Sequence, residues 1–150
     1  MKYPVKIIIV FLLIYSCNKG MDDLVVNDNQ LIIKYGTYGG WCTGDDSLII
    51  SSNNLLYGYY SPCDKKSIFK QSIISSEDKK QLVNTLNLIE FEKLELNSCA
   101  ICVDGTDYWI SIENGSYFHK IRYAAGDTLS INSIIVFVRL LDKQKAKFLK

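Results

Sequence analysis

The feature that most restricts the fold is residues 107–123, two alternating runs around Asn114-Gly115. That pair favours positive φ at both central positions of a two-residue turn, so it predicts a type I′ β-hairpin. Closing the hairpin there sets Ile112 against Tyr117, Ile110 against His119 and Tyr108 against Ile121, with Trp109 opposite Lys120 and Asp107 opposite Arg122. One side is then apolar and the other polar, as expected of a ribbon that lays one face on a core. A lone two-stranded ribbon is marginal in water, so this hairpin needs further strands and a cover.

The rest of the chain supplies them. Residues 31–35 read as a first strand, followed by a glycine-rich loop over 38–46. Two more strands, 48–51 and 55–60, flank Asn53-Asn54, and asparagine tolerates the positive φ of a two-residue turn. A fourth strand over 67–73 leads to Ser75-Ser76-Glu77-Asp78, where serine caps a helix and the acids suit its positive end. In that helix Leu82, Val83, Leu86 and Ile89 form one stripe, Lys80, Gln81, Asn84 and Asn87 face away, and Phe91 and Leu94 cover the sheet as the chain leaves. A last helix over 127–145 has Asp127 as its cap and Ile131, Ile134, Ile135, Val138 and Leu141 at helical spacing. The order β-β-β-β-α-β-β-α predicts an α+β fold: an antiparallel sheet of about five to six strands with two helices packed on one face.

The N-terminus sets the expected address. Lys2 and Lys6 precede the apolar run 7–15, which is too short to span a bilayer and has the length of a signal-peptide core. Ile14-Tyr15-Ser16-Cys17 resembles the lipobox of bacterial lipoproteins, with a competing reading as an ordinary signal peptide beside a chance cysteine. The expected organisation is a signal over 1–16, a lipid-bearing Cys17 with a polar tether over 17–30, and one domain over 31–150. Two or more acyl chains hold a protein firmly at a membrane where one does not. The predicted location is therefore the bacterial cell envelope, on the periplasmic or surface face of the outer membrane. Lys19-Gly20-Met21-Asp22-Asp23 looks like the charged tag that sends some Gram-negative lipoproteins to the cell surface.

Seventeen Lys and Arg stand against sixteen Asp and Glu, and two of the basic residues lie in the signal. A near-neutral domain argues against nucleic acid as a partner, because such binding rests on clustered Lys and Arg. The local excess at Lys143, Lys145, Lys147 and Lys150 reads as a solvated helix end.

Four cysteines remain beside Cys17. In an oxidising envelope they are read first as disulfides, Cys42 with Cys63 and Cys99 with Cys102, although four cysteines allow three connectivities. Cys99-Ala100-Ile101-Cys102 also permits a redox pair, and the four sulfurs together a zinc site, but Cys42 and Cys63 do not form the second CxxC that would strengthen that reading. His119, the single histidine, lies on the apolar hairpin face, where a packed, hydrogen-bonded role outweighs catalysis. Asp45, Asp46, Asp104 and Asp107 read either as turn formers or as oxygen ligands for calcium, and their spacing matches no calcium loop. The aromatic residues are numerous for one small sheet, and Trp41, Tyr57, Tyr59 and Trp109 are the candidate binding surface.

The segments at 35–42 and 99–109 resemble small uncharacterised Gram-negative envelope lipoproteins, in which a Gly/Cys loop, a helix, a Cys-x-x-Cys-x-Asp-Gly segment and a hairpin recur. A looser similarity is to the DUF6438-type domain of unknown function. The resemblance implies a fold and an envelope address, and no activity. With no catalytic set and no cofactor motif read from the residues, the expected function is a non-enzymatic binding or accessory module for a protein or glycan ligand. A thiol or metal protein using Cys99 and Cys102, and an immunity or inhibitor lipoprotein, are the alternatives.

Overall fold

The computed structural model describes residues 26–150; the expected signal, Cys17 and the tether up to residue 25 lie outside them. Six strands, β1 (Leu31–Tyr38), β2 (Asp45–Ser51), β3 (Asn54–Ser61), β4 (Lys66–Ile73), β5 (Asp107–Asn114) and β6 (Tyr117–Ala124), form one antiparallel sheet in the order β4-β3-β2-β1-β5-β6. Helices α1 (Ser76–Thr85), α2 (Leu88–Glu92) and α3 (Ile135–Ala146) complete the α+β fold, with α1 and α3 packed together. Lys143 of α3 and Lys147, which follows its last turn, both reach the Asp78 carboxylate of α1, at 2.9 and 3.0 Å. No helix among the described residues is long and apolar enough to cross a membrane.

Period-two alternation divides the strands between core and open face. Leu31, Ile33, Tyr35, Leu48, Ile50, Leu55, Tyr57, Ile110, Ile112, Ile121 and Tyr123 are buried in one cluster. The helices add Leu82, Leu86, Phe91, Phe137, Val138 and Leu141 to it. No helix among the described residues covers the opposite face of the sheet, where Leu56, Tyr60, Phe69 and Ile73 are exposed.

Both tight turns sit one residue away from the expected positions. Ser51 pairs with Asn54, which makes Ser52-Asn53 the β2–β3 turn, and Asn114 pairs with Tyr117, which makes Gly115-Ser116 the β5–β6 turn. Positive φ falls only on the first central residue in each, Ser52 at 50° and Gly115 at 62°, rather than on two as a type I′ turn needs. His119 thus faces Ile112, and Ile110 faces Ile121. Moving a two-residue turn by one position moves each partner by two, so every side chain keeps its face.

The helices are shorter than the hydrophobic pattern suggests. Ser75 caps α1 by accepting from Asp78 N–H at 3.1 Å, as its sequence predicts. At Leu86 the backbone turns extended, and Asn87 starts α2 by accepting from Glu90 N–H. This break buries Leu88 rather than Ile89. Asp127 caps only a turn, accepting from Ser130 N–H, and α3 begins eight residues later after a 3₁₀ turn over Asn132–Ile134.

The strands give the body two poles about 26 Å apart, at 3.3 Å per residue over eight residues. At one pole are the Ser52-Asn53 and Gly115-Ser116 turns and the end of the expected tether. Val26 packs against the core and Asn27 N–H donates to Asn114 Oδ1, so residues 26–30 belong to the folded body. At the other pole are the loop between β1 and β2, the turn between β3 and β4, and the segment entering β5.

Candidate functional site

That second pole gathers the sulfurs. Cys42 is bonded to Cys63 and Cys99 to Cys102, with Cα atoms 5.2 and 5.3 Å apart. The first bridge ties the β1–β2 loop to the β3–β4 turn. Within that loop Thr43 N–H donates to Gly40 O at 3.0 Å, a β-turn with Trp41 and Cys42 at its centre. Cys42 has φ 63°, a conformation that costs a side-chain-bearing residue about 1 kcal/mol or more and persists where the surroundings hold it. The bridge to Cys63 is one such restraint, and Trp41 at the turn's apex is 84% exposed.

The second bridge closes a 3₁₀ turn over Ala100–Val103. The two stapled loops touch: a Cβ on Gly40 would stand 2.7 Å from the carbonyl oxygens of both Asp104 and Gly105, so only glycine fits there. Val103, 82% exposed, shares this tip with Trp41. Beneath it Asp107 is fully buried, and its carboxylate accepts from the Ala100 and Ile101 amides at 3.1 and 3.2 Å. Burial opposes ionisation of Asp107, but hydrogen bonds from Ser98 and these two amides outweigh it, with Arg122 nearby, and hold the carboxyl below its usual range.

This arrangement bears on the thiol chemistry. A reactive CxxC lowers its thiol pKa with free amides at a helix start. Here the two leading amides are taken by a buried carboxylate, whose negative charge disfavours a thiolate beside it. Bonded in pairs, the four sulfurs are also withdrawn from metal coordination, and no cluster of three or more His, Cys, Asp or Glu suited to a metal occurs among the described residues.

Of the predicted aromatic surface, Trp41 and Trp109 lie toward this tip. Trp109 stacks on Tyr38 at 5.7 Å, and the Lys120 ammonium lies 5.0 Å above its ring while donating to Tyr38 Oη. Tyr57 does not belong with them: it is 5% exposed in the core and stacks on Phe148. Tyr59, one alternation further along β3, packs on the core and props the loop by donating to Thr43 O at 3.4 Å. Residues with an even offset from Tyr57 must share its covered face, a register the composition of β3 did not reveal.

The remaining candidates disperse. His119 Nε2–H donates to Leu94 O at 2.9 Å and its ring meets Phe91 edge-on, the packed role. Asp46 faces inward, where it accepts from Thr37 and pairs with Lys145 at 2.7 Å; Asp45 accepts from Gly39 N–H; Asp104 takes a left-handed turn position. The four aspartates therefore form no common oxygen site. Phe69 and Tyr60, both exposed on the open face, were not among the expected site residues. No family model matches this sequence, and no curated protein matches it.

Proposed function

We propose that the chain is an envelope lipoprotein anchored through lipid on Cys17 that acts as a non-enzymatic binding module, presenting its stapled tip to a protein partner away from the membrane. The observation that carries the reading is Trp41: a large aromatic left 84% exposed at the apex of a disulfide-held turn, at the pole opposite the residues nearest the anchor. Binding hot spots are rich in Trp, and a rigid loop loses little entropy on docking. The lipobox-like sequence and the polar stretch after it support the address. An immunity or inhibitor role is one form of the same reading.

The test replaces Trp41 with a photo-crosslinking amino acid in the full chain in its native cell, with Val136 on the outside of α3 as control position. The expected result is a discrete protein adduct from position 41 and none from 136, together with a diacylglycerol mass on the Cys17 peptide. Equal patterns at the two positions, or an unmodified Cys17 behind an intact leader, overturn it.

A further inference from the structure

We infer that the open face of the sheet holds a separate groove for a short run of pyranose rings of an uncharged glycan. Its frame is a single register row. Phe69 lies opposite Gly58, Gly58 opposite Ser47, Ser47 opposite Gly36, and Gly36 opposite Trp109. Three small residues on the inner strands are thus bracketed by two aromatics. Glycine inside a strand weakens it unless something approaches closely, and here both glycines are approached. A Cβ on Gly58 would lie 3.5 Å from the Phe69 ring, and one on Gly36 would lie 2.8 Å from the Trp109 ring. The two rings reach inward over the glycines, whose columns are two strand spacings apart, about 9.6 Å. Ser47 is the floor between them.

A cavity of about 270 Å³ occupies this slot, walled by Tyr38, Tyr60, Phe69 and Trp109 with Asp45 at one end. A second, of about 430 Å³, shares Ser47, Gly58 and Phe69 and continues along β2 and β3 past Ile49 and Leu56 to Gln71. From Asp45 to Ile49 the groove runs about 13 Å, the length of two or three sugar rings.

Width, chemistry and charge choose the occupant. A helix is about 10–12 Å across with its side chains, wider than the spacing of the two glycine columns, so a helix reaches the floor with one side chain at most. The lining combines the aromatic faces and the aliphatic Ile49 and Leu56 with polar groups at Ser47, Asp45 and Gln71, which suits a ligand having apolar faces and hydroxyl edges. Of the charged residues along the two cavities, Asp46 is paired with Lys145 and Lys70 donates to Phe148 O, which leaves Asp45, with the Lys120 ammonium above Trp109 beside the slot, so the balance favours a neutral chain.

The test uses the domain of residues 26–150, which contains the closed core, with Trp41→Phe so that Trp109 is the single tryptophan. Emission and calorimetry follow titration with cellohexaose, chitohexaose and maltohexaose. Saturable binding of at least one is expected, weakened about tenfold or more both by Phe69→Ala, at a residue 84% exposed and thus harmless to folding, and by Ser47→Tyr, which fills the floor. Val136→Ala is expected to leave binding unchanged. No saturable response to any of the three sugars, or binding that survives both groove variants, overturns the proposal. If the sugars do not bind and Ser47→Tyr instead abolishes the adduct formed from position 41, the groove is part of a protein interface and the glycan reading falls while the tip reading stands.

Discussion

The two faces of the sheet carry aromatic residues on the same strands and use them in opposite ways. Under the helices, Tyr35, Tyr108 and Tyr123 stack in succession at 6.1 and 5.6 Å, and Lys145 lies over the first two while pairing with Asp46. The Tyr35 hydroxyl donates to Asp142 at 2.5 Å. On the open face the rings of Phe69 and Tyr60 remain in solvent, and Trp109 is held between Tyr38 and Lys120. A buried phenol must find a partner for its O–H, whereas an exposed ring is free to meet a ligand. What separates structural from available aromatics here is therefore the cover of helices, and one position along a strand decides which side of it a residue takes.

The comparison breaks first at the core. Ile110→Ala, beneath the helices and fully buried, is expected to cost about 2–5 kcal/mol in denaturant unfolding, while Phe69→Ala on the open face stays within about 0.5 kcal/mol. Near-equal effects would mean that the open face is covered in solution.

Asp107 is a sharper case, since it points to the open side yet is buried beneath the Cys99–Cys102 turn. Asp107→Asn, which offers an amide where two backbone donors point, is expected to cost about 1–3 kcal/mol at neutral pH. Because the folded carboxyl is held below its ordinary 3.8, its contribution is present above that pH and is lost as pH falls below it. The gap between wild type and variant should therefore shrink in acid unfolding experiments, and a gap constant from pH 7 to pH 2 contradicts the account.

The smallest expected change is Tyr35→Phe, about 1 kcal/mol from the bond to Asp142. Burial, then the neighbouring Tyr123 and Asp142, push the Tyr35 hydroxyl well above its ordinary 10.0. A raised pKa gives stability that is full below pH 10 and is lost as pH rises above it, so the variant should decline less than wild type in alkali. Tyr123, raised chiefly by burial as well, keeps part of the decline in place.

Much of this was legible in the residues, and the misses share causes. The six strands, the Ser75 cap and the preferred pairing of the four cysteines were read from local pattern and short-range chemistry. The β5–β6 turn was displaced because Gly115 serves equally as the first central residue of a type II′ turn, and a one-position shift leaves every strand residue on its face; nothing in the sequence of the β2–β3 turn marks Ser52 for its positive φ. The breaks at Leu86 and before Ile135 could not be seen, since Asn87 and Asp127 cap whatever turn tertiary contacts allow. At the candidate site, Trp41 and the cysteines came from residue type alone. Phe69 did not, because its meaning depends on Gly58 lying opposite it; the signal was the pair of glycines within strand patterns, which marks a close approach without saying by what.

The amino-acid sequence by itself determined which side of the sheet each strand residue faces, because that depends only on a period of two and survives a shift of the turns. The tertiary structure decided which residues stand side by side: the row from Phe69 to Trp109, the meeting of Gly40 with Asp104 and Gly105, and the burial of Tyr57. Neighbours across strands are set by loop closure and by the helices' fit to one face, which are properties of the whole chain and not of any window within it.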